Sequence, residues 1–169
     1  MTAAAEAYAR LLLELDPPAA VMEEVRVLAG QPELRAALEN PAYDKREKQA
    51  AAERLFPEEV RSFIGVLCEH GDYDLLPELL TEYDRLVRDR DGVALVTFTC
   101  VHEPTPEQRA QVEALVLRKY GKKAVQWRTV LDPALLGGVI LTVDDWVLDR
   151  SLRTMAEDLR RHVTGGVVI

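Results

Sequence analysis

The chain has 169 residues, 48% hydrophobic and 30% charged, which supports a packed core and excludes a disordered polymer. Its formal net charge of −8 disfavours a phosphate backbone, whose counterions are released only by cationic surfaces. No apolar run reaches the roughly 20 residues that span a bilayer, Met1–Glu6 lacks the parts of a signal peptide, and Cys68 and Cys100 cannot build a disulfide framework, so a cytoplasmic protein is expected.

Charge divides the chain near Gly92: residues 1–92 carry a net −9 and residues 93–169 a net +1. The first part reads as a series of short helices. Tyr8, Leu11, Leu12 and Leu15 recur at helical spacing, and Asp16-Pro17-Pro18 stops them because proline lacks a donor and restricts its predecessor. A second helix runs to about Gly30, and Pro32 suits the first turn of a third, which carries Leu34 and Leu38 and closes at Asn40-Pro41. Asp44 and Glu47 have capping-box spacing for a fourth. Pro57-Glu58-Glu59 places a proline and two acids in the first turn of a fifth, ahead of Val60, Phe63, Ile64 and Leu67, with His70-Gly71 as its stop. A sixth carries Leu75, Leu76, Leu79, Leu80, Tyr83 and Leu86.

Beyond Gly92 the period changes. Val93 to Val101 reads as a strand, and Thr105-Pro106-Glu107-Gln108 combines a Thr cap, a proline at the first helical position and a reciprocal Gln. Val112, Leu115 and Val116 supply that helix's apolar face, and Gly121 with Lys119, Lys122 and Lys123 suits its end. Strands follow at Val125–Val130 and Gly138–Val143, the latter turning through Asp144-Asp145 into Trp146-Val147-Leu148. A last helix carries Leu152, Met155, Leu159 and Val163 and ends at Gly165-Gly166, before the apolar tail Val167–Ile169. The expected class is α+β: an N-terminal six-helix bundle over residues 1–92, then a small mixed α/β domain over 93–169.

Candidate chemistry is sparse. Cys68-x-His70 and Cys100-x-His102 together offer four zinc ligands, but on a helix Cys68 and His70 point about 200° apart, and zinc pairs normally have wider spacing. A packed Cys68 and a helix-terminal His70 are the preferred reading. Gly137-Gly138 lacks the Gly-Lys-Ser/Thr of a phosphate loop and reads as a bulge or the tight start of a strand. Asp144 and Asp145 suit a turn, and Asp149 or Ser151 a helix cap, in place of a carboxylate metal cluster. His70, His102 and His162 sit in no acid–base motif. No catalytic residue, metal or cofactor is expected.

What stands out is surplus apolar surface. Leu11, Leu12 and Leu13 are consecutive, so one stripe cannot hold all three, and Val66 lies roughly 60° or more off the stripe of Val60, Phe63, Ile64 and Leu67. Extra core contact and a groove for a partner helix both account for this.

The pattern Asp132-Pro133-Ala134-Leu135-Leu136-Gly137-Gly138-Val139-Ile140-Leu141, then Asp145-Trp146-Val147-Leu148-Asp149-Arg150-Ser151-Leu152-Arg153, resembles the C-terminal signature of the delta subunit of bacterial F-type ATP synthase, counterpart of the oligomycin sensitivity-conferring protein. Tyr8-Ala9-Arg10, Pro32-Glu33-Leu34, Asn40-Pro41, Glu47-Lys48 and Glu69-His70-Gly71 before Leu75-Leu76-Pro77-Glu78 agree with the family in order and spacing. Arg150 stands where the family usually has glycine, and Asp72 where a basic residue commonly follows Gly71.

The resemblance implies a non-catalytic stator subunit on the cytoplasmic side of the bacterial membrane, held there only through the complex. Its helical domain would grip N-terminal helices of the alpha subunits, and its C-terminal domain would bind the peripheral stalk b subunit. Matched by position, the grip falls to Tyr8, Leu11 and Val66, with Ala4, Ala7 and Ser62 as helical neighbours. The rival reading is an unrelated two-domain adaptor for some other helical partner, and a weaker rival is a metal-dependent enzyme using the Cys-x-His pairs.

Overall fold

The structure, a computed structural model, describes residues 2–40, 42–156 and 160. The chain divides into two compact units, Met1–Val87 and Arg88–Ile169, and its class is mixed α+β.

The first unit is built from α1 (Ala3–Leu15), α2 (Ala19–Ala29), α3 (Pro32–Glu39), α4 (Lys45–Leu55), α5 (Glu58–His70) and most of α6 (Leu76–Asp91). The stops act as local chemistry dictates. Asp16 takes a left-handed φ of 43° ahead of the two prolines, and Gly71, at φ 81°, lets its amide donate back to the carbonyls of Leu67 and Cys68. The Asp44–Glu47 capping box forms, with the Asp44 amide donating to Glu47 Oε2 at 3.1 Å. Pro57 stands at the N-cap position, one residue before the first turn expected for it, and makes no side-chain cap, while Glu58 and Glu59 bring negative charge to the first turn. A single 3-10 turn, Tyr73–Leu75, precedes α6 and was not foreseen from spacing, because Leu75 continues the apolar period without sharing the α-helical hydrogen bonds.

Leu12, Met22, Val25, Leu38, Phe56, Val60, Ile64, Leu67, Leu76 and Leu79 form the core of this unit. Each such side chain, taken from water, contributes about 1.5–3 kcal/mol before conformational entropy is charged against it. Glu82 is buried among them and receives the Arg85 guanidinium in bonds of 2.6–3.1 Å, which supplies the counter-charge that a buried carboxylate requires.

The second unit contains β1 (Val93–Cys100), α7 (Pro106–Tyr120), β2 (Ala124–Leu131), β3 (Gly138–Val143) and β4 (Trp146–Ser151). The sheet order is β2-β1-β3-β4. β1 and β2 are parallel and joined through α7, whereas β1–β3 and β3–β4 are antiparallel. Ala94, Val96, Phe98 and Cys100 alternate onto one face and share a core with Val116, Leu141 and Val143. α7 opens with both halves of its capping box, Gln108 N to Thr105 Oγ1 at 3.3 Å and Thr105 N to Gln108 Oε1 at 3.0 Å.

Two details differ from the sequence reading. Leu115 is 45% exposed, since Val112 and Val116 already define the buried line and Leu115 lies about 100° round the helix from Val116. β4 extends three residues beyond Leu148, because the β3 pairing continues to Gly138 and Ser151. The Gly137-Gly138 pair, at φ 138° and 81°, forms the tight start of β3. Residues 152–156 are helical, with Ser151 Oγ accepting from Thr154 N at 3.3 Å as a cap; Leu159, Val163, Gly165-Gly166 and the tail Val167–Ile169 lie outside the described residues.

Candidate partner-binding face

α1 begins at Thr2, whose hydroxyl accepts from Ala5 N at 3.3 Å while its amide donates to Glu78 Oε1 at 2.7 Å. This ties the helix start to α6. Ala5, Ala9 and Leu12 turn inward, and Ala4, Ala7 and Leu11 come to the surface at helical spacing. Leu11 is 51% exposed beside the buried Leu12 and the half-buried Leu13, the distribution that three consecutive leucines force on a helix. Ala3, Glu6, Ala7, Arg10, Leu11 and Glu14 border a surface hollow of about 570 Å³, with Glu6 and Arg10 paired at 2.6 Å.

α5 buries Val60, Phe63, Ile64, Leu67 and Cys68 and leaves Ser62 and Val66 exposed one turn apart. Tyr8 joins the two helices. Its ring meets Phe63 edge-on, with centroids 6.2 Å apart and planes at 84°, a favoured aromatic geometry. Its hydroxyl donates to Asp72 Oδ2 at 2.8 Å and lies 3.3 Å from His70 Nδ1. Burial first, and the adjoining Asp72 carboxylate second, raise the phenol above its ordinary pKa, so Tyr8 stays a neutral donor.

Of the six residues singled out from sequence, the structure places Ala4, Ala7, Tyr8 and Leu11 on α1 and Ser62 and Val66 on α5. Of these, Tyr8 joins the two helices through its ring contact with Phe63. Phe63, His70 and Asp72 complete that contact and were not among the six. Phe63 was assigned to the core stripe, and the approach of Asp72 to a residue 64 positions earlier has no local sequence signal.

Among the described residues, the other candidates from sequence are engaged in structure. Cys68 and Cys100 are buried, one in each unit, and burial pushes both thiols above their ordinary range, away from the thiolate that zinc binding needs. Cys100 ends β1 while His102 lies in the bend beyond it. Asp144 turns the β3–β4 hairpin at φ 48° and accepts from Leu95 N at 3.0 Å. Asp149 accepts from Ser151 N at 2.8 Å and from the Thr154 hydroxyl at 2.7 Å. Among the described residues no three His, Cys, Asp or Glu side chains are grouped as metal ligands, and no helix is long and apolar enough to cross a membrane.

Comparison with known proteins is consistent over nearly the whole chain. The family model for the ATP synthase delta (OSCP) subunit matches residues 4–163. The ATP synthase subunit delta of Acidiphilium cryptum (strain JF-5) is 31% identical over 94% of this chain and 86% of its own length. That of Anaeromyxobacter dehalogenans (strain 2CP-C) is 34% identical over 78% of this chain and 76% of its own. Among solved structures, a chain of the Toxoplasma gondii mitochondrial ATP synthase hexamer superposes with a TM-score of 0.70 at 17% identity, covering 97% of this chain and 98% of that one, which is a likeness of fold.

Proposed function

The chain belongs to the ATP synthase delta (OSCP) subunit family, and from that premise we propose that it is the stator joint of an F-type ATP synthase, tying the catalytic alpha/beta head to the peripheral stalk b subunit. It is a non-catalytic structural subunit of the synthase. In this reading α1 to α6 act as a six-helix bundle that receives N-terminal helices of the alpha subunits, and the unit from β1 onward takes the end of the b stalk. It works on the cytoplasmic side of the bacterial membrane, peripheral and held by the complex alone.

The observation that carries the alpha-binding part is the pairing of exposed apolar groups on two neighbouring elements. Leu11 on α1 is 51% exposed and Val66 on α5 is 40% exposed, and the Tyr8–Phe63 ring contact joins the two helices that carry them. Ala4, Ala7 and Ser62 are small, so a partner helix can approach the α1 and α5 backbones closely. An amphipathic helix laid across these groups would gain about 1.5–3 kcal/mol for each large apolar side chain it covers, less the cost of ordering. A joint under torque needs such affinity and no chemistry.

The net −9 of residues 1–92 favours a partner segment of positive charge. Titration of the full chain with a peptide of the alpha subunit's N-terminal helix, followed by calorimetry, should give tight 1:1 binding that weakens with added salt. The Val66→Asp variant should lose it. A wild-type chain that fails to bind the peptide removes the alpha-binding assignment, and a salt-independent dissociation constant removes the electrostatic part.

A further inference from the structure

Tyr8 is the one aromatic residue among the proposed contacts, and its polar tip is tied to the protein's own chain. Gly71, at φ 81°, turns the chain sharply off the end of α5, and the next residue, Asp72, comes back over α1 with its Oδ2 2.8 Å from the Tyr8 hydroxyl. The ring is thus fixed at two points, its edge-on contact with Phe63 and its hydroxyl on Asp72. With the phenolic proton given to Asp72, the 3.3 Å contact to His70 Nδ1 is a hydrogen bond only when that nitrogen carries a proton. Tyr8 and Asp72 are both half-buried, so without the hydroxyl anchor the ring keeps only its packing contacts with Phe63 and the core.

We propose that Asp72 is a positioning residue of the alpha-binding face: it holds the Tyr8 hydroxyl so that the ring stands as a fixed wall between the α1 and α5 surfaces, and it does not itself touch the partner. The proposal rests on the reading of α1 and α5 as that face. An unanchored tyrosine must be ordered at the moment of binding, and that ordering is the cost which Asp72 removes in advance. A hydrogen bond to a carboxylate is strong enough for the effect to be measurable, on the order of tenfold in affinity.

The test is a double-mutant cycle on the full chain, read by calorimetry with the alpha N-terminal peptide, with thermal unfolding as a check on folding. Tyr8→Phe and Asp72→Ala should each weaken binding by about tenfold, and Asp72→Ala added to Tyr8→Phe should change it by less than about twofold. Asp72→Asn keeps an acceptor oxygen and should bind within about threefold of wild type. An Asp72→Ala effect that persists undiminished in the Tyr8→Phe background overturns the proposal in favour of direct contact with the partner, and an Asp72→Ala variant that binds like wild type overturns it outright.

A second readout needs no partner. In the free protein labelled at the tyrosine Cζ carbon, the ionisation midpoint of Tyr8 should fall in Asp72→Ala, and an unmoved midpoint denies the anchor. Loss of wild-type binding with a shifted midpoint locates the failure in the assignment of the face, which takes the positioning role with it.

Discussion

A Cβ built on Gly138 would lie 2.3 Å from the carbonyl oxygen of Arg150. The two residues sit side by side where β3 begins and β4 ends, one step from the Gly138–Ser151 pair, so the backbones meet with no space for a side chain. Gly138 also holds φ at 81°, a region that favours glycine. Gly138→Ala is therefore expected to cost several kcal/mol, about 3 or more, and to melt the second unit first. Gly71 shares the φ of 81° but would place its Cβ in open space. Gly71→Ala should cost only about 1 kcal/mol, the backbone penalty alone. Thermal unfolding of the two variants separates steric from conformational cost, and equal losses would contradict the close approach.

Exposure predicts a second contrast, on α5. Val66 is 40% exposed whereas Phe63 is 7% exposed and carries the Tyr8 ring. Val66→Asp should leave stability within about 0.5 kcal/mol while it abolishes binding of the alpha peptide. Phe63→Ala should lower stability by about 3–5 kcal/mol through the cavity it opens. Denaturant midpoints with unchanged m-values check both. A strongly destabilised Val66→Asp would return that residue to the core.

Asp149 supplies a pH test. Its carboxylate is held below the ordinary aspartate range, chiefly by the Ser151 amide and then by the Thr154 hydroxyl. A group whose folded pKa is depressed contributes stability above its unfolded value, about 3.9, and loses it as the pH falls through the lower folded value. Asp149→Asn should thus be less stable than wild type at pH 7, and the difference should shrink towards zero in acid below pH 3.9. A difference that is constant with pH would show that the charge plays no part.

The thiols give a fourth. Cys68 and Cys100 are 2% and 4% exposed, and burial raises both above the usual thiol pKa. In the native protein both should react with an aromatic disulfide reagent orders of magnitude more slowly than in denaturant, and at pH 7 neither should show the fast phase of a thiolate. Rapid labelling of either would expose a local opening that the packing does not predict.

Much of the fold was legible because its signals complete themselves within a turn or two of chain. The Asp44–Glu47 and Thr105–Gln108 boxes, the Asp16-Pro17-Pro18 stop and the Gly71 cap are hydrogen bonds and φ restrictions among near neighbours, so residue identity and spacing determine them. That Leu11 and Val66 leave the inward stripe was legible for the same reason, since a helix of known register has only one such stripe, whereas their exposure was settled by which elements pack beside them. The end of β4 was not legible, because strand length depends on how far β3 stays in register with it. Nor was the 3-10 turn at Tyr73–Leu75, whose apolar period is that of the helix it precedes.

By itself, then, the sequence determined where the capped helices start and stop, the charge contrast along the chain and the family. The tertiary structure alone decided which surfaces meet. Asp72 reaches Tyr8 across 64 residues, and Lys122 reaches Asp89 across 33. Such contacts are set by how the buried stripes of separate elements pack together, and no local propensity encodes them.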